Sequence, residues 1–350
     1  GDDVRAVLVQ GSTSQAVHAK VVDTGDGTYT MRYTLEITSG DDYILSVYVN
    51  NGTIGGSPFR VVALAGPTNC GATISVRAPR CVAGTVSEAP IFAKDRQGNQ
   101  RTSGGDVFTA ALQMIDPPLL NETLRVEDNN DGTYKALWLT THTGKFRLWI
   151  AGPCGPIKDS PYDVECLPAA LSVTHSYLKG DGASDAIAGH AAAFEIIARD
   201  VFDNVLAFGR YAWAVSLSND QNSFKVHQLA GSGGGSYKFA YNATRAGTYD
   251  LMVGAPDLGG GVNGSVQVQD SPFTVTVRPG PISGPKSKIY GPNCPEGEDT
   301  WNEGSGRPVR LWIEARDRFE NQLDVAPSIP APFTVKVRRR GASKVVATAT

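Results

Sequence analysis

The 350-residue sequence predicts an all-β chain of tandem sandwiches. Three observations carry that expectation: a turn-rich composition, short segments of strict apolar alternation, and blocks of sequence that recur along the chain. The 39 Gly and 21 Pro point to many turns, and 41% hydrophobic with 19% charged residues is a globular balance. At roughly 100 to 150 residues per domain, this length implies two to four domains, each able to bury its own core. Lys and Arg total 32 against 35 Asp and Glu, so no chain-wide field exists to hold nucleic acid or an anionic membrane. No apolar run approaches the roughly 20 residues of a membrane helix, which argues against direct membrane insertion by this piece. Gly1 to Asp3 reads as neither a start nor a signal peptide.

The repeats organise the rest. Gly56-Ser57-Pro58-Phe59-Arg60-Val61, Asp159-Ser160-Pro161-Tyr162-Asp163-Val164 and Asp270-Ser271-Pro272-Phe273-Thr274-Val275 share a Ser-Pro-aromatic opening before alternating Val, which suits a final strand, G, whose first residue need not donate to the ladder. Upstream lie Asp26-Gly27-Thr28-Tyr29 and Asp131-Gly132-Thr133-Tyr134, with Gly235-Ser236-Tyr237 in the same slot of a third copy. Asp-Gly supplies the positive φ of a tight turn, and the alternation after it marks strand E. Strand F is entered through Gly144-Lys145-Phe146 and Gly247-Thr248-Tyr249, with Asp41-Asp42-Tyr43 as a looser copy. An aromatic there fills the core, and a Tyr hydroxyl can reach nearby backbone. Ile91 to Asn99, Phe194 to Asn204 and Leu311 to Asn321 each read as an alternating strand B running into an Asp/Asn turn. Strand C follows, as in Val107 to Ala110 and Phe333 to Val337.

This order, with Gly104-Gly105-Asp106 before strand C, resembles the filamin-type (actin-binding-protein) immunoglobulin-like repeat over nearly the whole chain. The resemblance implies tandem immunoglobulin-like β-sandwiches. Its register places strands C to G of one repeat in residues 1–64, two full repeats in 65–167 and 168–279, and strands A to C or D of a fourth in 280–350. The incomplete ends suggest a longer parent. In cytoplasmic actin crosslinkers of this family the resemblance implies peptide binding by strand addition along strands C and D, here Arg5 to Gln10, Val107 to Leu112, Ala212 to Ser218 and Thr334 to Arg338.

Five cysteines are present: Cys70, Cys81, Cys154, Cys166 and Cys294. In the sandwich that the resemblance implies, the start of strand A and the F–G loop share one pole, and the ends of A and G share the other. That arrangement favours Cys70 with Cys154 and Cys81 with Cys166. Cys294 corresponds to Cys81 in the incomplete fourth repeat, so its partner is expected beyond Thr350. Four unpaired thiols in a cytosolic array are the alternative. Asn-x-Ser/Thr sequons occur at Asn51, Asn121, Asn242 and Asn263, in segments expected to be exposed, and with the cysteines they favour a secretory or extracellular setting.

No constellation for catalysis, metal or cofactor is expected. His18, His142, His175, His190 and His227 fall in separate strands and loops without metal-ligand or nucleophile-base spacing. Asp128 to Gly132 lacks the ligand alternation and closing Glu of a calcium loop and reads as a turn. The Gly-rich stretches Gly231 to Gly235 and Gly259 to Gly261 lack the Lys-Ser/Thr of a phosphate loop. Arg338-Arg339-Arg340 could meet an acidic partner, although a solvated loop is the simpler reading. Trp138, Trp149, Trp213 and Trp312 lie in strand patterns and are expected in cores, whereas Trp301, in the insertion between strands A and B, is the better candidate for an exposed contact.

A register that assigns nearly every motif to a strand or turn leaves no polar groups to converge on a substrate, so binding rather than catalysis is expected. The repeat family also occurs in cell-surface proteins, including gamete adhesion and fusion proteins of plants and green algae, and the cysteines and sequons favour that branch. The leading expectation is a glycosylated adhesion or fusion ectodomain of a membrane-anchored parent, binding a protein on an opposing cell. A purely structural array, as a cytoskeletal crosslinker or an extracellular filament component, is the alternative.

Overall fold

The computed structural model describes residues 2–11, 14–36, 43–76, 80–115, 121–208, 211–230, 234–256, 265–292, 310–323, 333–338 and 345–349. The chain divides into two compact units, residues 1–169 and 170–350.

The first unit opens with β1 (Val4–Gln10), β2 (Ala16–His18), β3 (Lys20–Asp23), β4 (Tyr29–Arg32), β5 (Tyr43–Val49), β6 (Gly52–Thr53) and β7 (Phe59–Val61). One sheet runs β2-β1-β5-β6, with β7 also on β5, and β3 pairs with β4 as a hairpin. Then come β8 (Ile74–Ser75), β9 (Cys81–Val82), β10 (Val86–Phe92), β11 (Thr109–Met114), β12 (Asn121–Asp128), β13 (Thr133–Leu139), β14 (Gly144–Gly152), β15 (Gly155–Pro156) and β16 (Tyr162–Leu167). Their order is β8-β10-β13-β12-β11-β14-β16-β9. Strand β12 joins both sheets: its residues 121–124 pair with β11 and its residues 125–128 with β13. Alternation decides what is buried. Along β14, Phe146, Leu148 and Ile150 enter the core with Ile91, Tyr134 and Trp138, while Lys145, Arg147 and Trp149 face outward.

The second unit holds β17 (Leu171–Lys179), β18 (Asp185–Ile187), β19 (Ala191–Asp200), β20 (Ala214–Ser218), β21 (Ser223–Phe224), β22 (Val226–Gln228), β23 (Ser236–Asn242), β24 (Gly247–Pro256), β25 (Ser265–Gln267) and β26 (Phe273–Arg278). Sheet β17-β19-β23-β22 covers sheet β18-β26-β24-β20-β21. Phe194, Ile196, Leu217, Tyr241, Tyr249, Leu251 and Val275 pack between them. After these come β27 (Lys288–Tyr290), paired with β28 (Trp312–Glu314), and β29 (Val335–Arg338), paired with β30 (Val345–Ala349). The fold is thus all-β, in tandem immunoglobulin-like sandwiches.

The recurring blocks have physical roles. The Tyr that closes Asp-Gly-Thr-Tyr turns its hydroxyl to the backbone just before strand C: Asp106 N donates to Tyr134 Oη at 3.0 Å and Tyr211 N to Tyr237 Oη at 3.3 Å. The glycine before strand E lets the B–C connection cross it. Gly132 has φ +84° and Gly235 φ +80°, and a Cβ at either would lie 2.0 Å from Arg101 O or 2.2 Å from Leu206 O. Ser57, Ser160 and Ser271 precede cis prolines, and their hydroxyls accept from Val47 N, Ile150 N and Val253 N on the neighbouring F strand. Tyr249, at the F entry, donates to Arg245 O at 2.9 Å.

A further device escaped the sequence reading. The Thr73, Ser176 and Ser287 hydroxyls each donate to the carbonyl four residues earlier and accept a strand-B N–H, from Lys94, Arg199 and Arg316 respectively. This fills the irregularity in strand A with a side chain in place of a ladder bond. Strand C of the second repeat also begins later than expected. Ladder pairing starts at Thr109, and Val107 stands 73% exposed because the segment before it is held by Asp106 and Gly105 rather than by a strand.

These contacts predict unequal costs for two glycines of the same conformation. Gly132→Ala drives a methyl into a backbone carbonyl and should destabilise its sandwich by at least about 2 kcal/mol. Gly27→Ala, at φ +88° with no atom within 4 Å, should cost only about 1 kcal/mol. Urea unfolding of the two variants, followed by amide exchange in each repeat, checks the difference.

Candidate functional site

The second repeat is stapled at both poles. Cys70 is bonded to Cys154 with a Cα separation of 5.8 Å, tying the start of the repeat to the turn between β14 and β15. Gly152 makes room for it: a Cβ there would lie 2.9 Å from the Phe108 ring and 3.2 Å from Cys70 Sγ. Cys81 and Cys166 face each other across the parallel pair β9–β16 and are joined with Cα atoms 4.4 Å apart. The corresponding parallel pair β18–β26 sets Ala186 opposite Val277, both buried, beside an Arg278–Asp185 ion pair. The sandwich therefore closes there without sulfur, and the second disulfide is an addition to the fold rather than a requirement of it.

Among the described residues, the other expected site residues are not brought together. Asn51 is the second residue of the turn between β5 and β6, at φ 67°, exposed, with Arg5 donating to its Oδ1. Asn121 opens β12 and Asn242 closes β23, both exposed. Arg338 ends β29. Asn263, Cys294, Trp301, Arg339 and Arg340 lie outside the described residues. Among the described residues no three His, Cys, Asp or Glu gather as metal ligands.

Two tryptophans expected in cores are exposed instead. Trp149 is 42% exposed, since it alternates with buried Leu148 and Ile150. Trp312, 48% exposed, stacks on Tyr290 with ring centroids 6.0 Å apart. Trp138 is buried, and Trp213 packs edge-on to Tyr237 at the border of its core.

The expected strand-C edges differ among the repeats. In the second, β11 is paired on both sides, by β14 and by the start of β12, so the anticipated open edge is closed. In the first, β2 covers Val7 to Val9, and Ala6 O accepts from Ala19 N. In the third, β21 covers only Leu217 and Ser218, leaving Ala214 to Ser216 without a second ladder partner among the described residues. A shallow groove of about 450 Å³ runs beside that edge, lined by Trp213, Val215, Met252 and Gln267.

At the end of each strand B, a carboxylate organises the turn. Asp95, Asp200 and Asp317 are nearly inaccessible, and each accepts the backbone N–H groups two and four residues ahead and the amide of the Asn at the fourth position. Asp95 and Asp317 also accept from Gly66 N at 3.0 Å and Gly280 N at 2.8 Å, the glycines that lead into their repeats. Burial opposes the charged form of both, but the hydrogen bonds from Asn99 and Gly66, and from Asn321 and Gly280, outweigh it and hold each carboxyl below its ordinary 3.8. The sequence marked this Asp and Asn as a turn; their hold on the linker left no local pattern to read.

Residues 1–60 match the Filamin/ABP280 repeat. Filamin-C of Mus musculus and of Rattus norvegicus are each 30% identical over 164 residues, 46% of this chain and 6% of the relative, so the chain spans a small fraction of those filamins. These matches support the filamin-type immunoglobulin-like family. Among solved structures, the Escherichia coli adhesin FdeC aligns at TM-score 0.49 and 16% identity, covering 79% of this chain and 86% of that one. Invasin, a bacterial integrin-binding protein, aligns at TM-score 0.45 and 11% identity over 83% of this chain and 56% of its own.

Two outcomes follow for these sandwiches. The disulfides close loops with sequence separations of 84 and 85 residues that nearly coincide, so their entropic effects overlap. Full reduction should lower the stability of the second repeat by about 3–5 kcal/mol while leaving the third unchanged, as differential amide exchange with and without reductant would show. The lowered carboxyls of Asp95 and Asp317 contribute stability that is complete above the unfolded value, about pH 4, and lost as pH falls through the lower folded value. Asp317→Asn should remove its share of this acid sensitivity, measured as the difference in melting temperature between pH 7 and pH 3.

Proposed function

We propose that this chain is part of an extracellular cell-surface adhesion or fusion ectodomain, whose stacked repeats space and present a surface to a partner protein on an opposing cell. The observation that carries this reading is the pair of disulfides at opposite poles of the second repeat. Such bonds persist in oxidising compartments and are rare where cytosolic thiols are kept reduced. The exposed sequons at Asn51, Asn121 and Asn242 agree with it, since N-glycans need accessible asparagines on secreted chains. Gamete recognition, one setting in which repeats of this type occur, is the setting we infer. Sheet faces and the partly open edge of β20 supply binding surfaces, and no catalytic role is assigned to any residue.

A second reading, a cytoskeletal crosslinker, is favoured by the likeness to filamin-C. Intact mass of the protein from a secretory host, under non-reducing conditions with and without glycosidase, separates the two. The ectodomain reading expects glycan loss on Asn51, Asn121 and Asn242, and Cys70, Cys81, Cys154 and Cys166 protected from alkylation. Bare asparagines and alkylated cysteines would overturn it and direct the search to F-actin.

A further inference from the structure

We propose that the strand-B Asp-x-x-x-Asn turn is a joint between consecutive repeats, in which the carboxylate holds the incoming linker and the carboxamide docks on the E–F loop of the preceding repeat. The third position of the turn then sets how tightly the joint closes.

The same two bonds appear at two separate junctions. In the first unit, Gly66 N donates to Asp95 Oδ2 at 3.0 Å, and Asn99 Nδ2 donates to Glu36 O, between the E and F strands of the first repeat, at 3.0 Å. In the second unit, Gly280 N donates to Asp317 Oδ2 at 2.8 Å, and Asn321 Nδ2 donates to Thr244 O, between β23 and β24, at 2.9 Å. The Asp and Asn of each pair also bond each other, so linker, turn and preceding repeat are fixed by one rigid cluster. A merely local turn needs none of the bonds that cross between repeats.

The junctions differ in what surrounds the shared pair. In the second unit, Ala246 N donates to Asn321 Oδ1 at 2.9 Å, Arg245 Nη1 to Phe319 O at 3.0 Å, and Arg318 Nη2 to Gly189 O at 3.2 Å. Phe319 packs against the core of the third repeat, over Gly189. That glycine, at φ +78°, is the receptor for the ring: a Cβ on it would sit 2.2 Å from Phe319 Cε2. Gln97 occupies the position of Phe319 in the first-unit turn, where an apolar seat of this kind is replaced by a polar side chain. Phe319 therefore makes its joint a plugged one, and Gln97 leaves the other held by the shared polar pair.

The test uses the full chain and reads the Ala246 amide, whose acceptor belongs to the following repeat. Asn321→Ala should accelerate its hydrogen exchange at least tenfold and leave Leu251, in the core of the third repeat, unchanged. In 15N relaxation the sandwich of residues 170–278 and the strand pair β27–β28 should tumble with one correlation time in the native chain and with two in a Phe319→Gln/Asn321→Ala variant. Arg245→Ala weakens the joint from the receptor side and controls for misfolding beyond it: Ala246 exchange should rise while the Arg316 amide, which donates to Ser287 Oγ, stays protected. An Ala246 amide that exchanges freely in the native chain, or common tumbling that survives the double variant, would overturn the proposal.

Discussion

A carboxylate buried at the end of a strand must find donors, and much of this architecture follows from how Asp95, Asp200 and Asp317 meet that need. Each is nearly inaccessible and would be costly to bury alone. The chain satisfies it by folding back within four residues, so the B–C turn is specified by charge solvation rather than by apolar contact. Because the turn is fixed, the following segment can cross the glycine at the start of strand E at backbone contact distance, as at Gly132 and Gly235. Strand C then begins in register, anchored by the tyrosine hydroxyl of strand E.

Much of this was legible in the sequence because the devices are local and repeated. Asp-Gly-Thr-Tyr, Ser-Pro-aromatic and the Asp/Asn turn each act within a few residues of themselves, and several copies make each visible. What escaped depended on position in three dimensions. The strand-A hydroxyls at Thr73, Ser176 and Ser287 are single common residues whose partner lies on another strand. An aromatic in a strand does not reveal which face it takes: Trp149 faces outward by parity with buried Leu148 and Ile150, and Trp312 lies on the surface against Tyr290. The closure of β11 by β12 could not be read from either strand alone, since β12 changes sheets midway.

The candidate site is likewise uneven in legibility. Cysteine positions could be matched to the poles of a sandwich, and sequons are visible in any sequence. A binding edge is a negative property, the lack of a neighbour, and depends on how far the next strand extends. The short pairing of β21 leaves part of β20 accessible, whereas β11 is paired on both sides, so similar repeats offer different surfaces.

The parallel pairs β9–β16 and β18–β26 join the first and last strands of their sandwiches. Tension applied along the chain pulls such neighbours in opposite directions and loads their hydrogen bonds together, in shear. In the third repeat the clasp is backbone pairing and the Ala186–Val277 contact, so its strands can part and the whole sandwich can pay out as slack. In the second, the Cys81–Cys166 bond spans the clasp and keeps the enclosed chain from lengthening. Under load, the disulfide-closed sandwich would hold its length where its sulfur-free counterpart can yield.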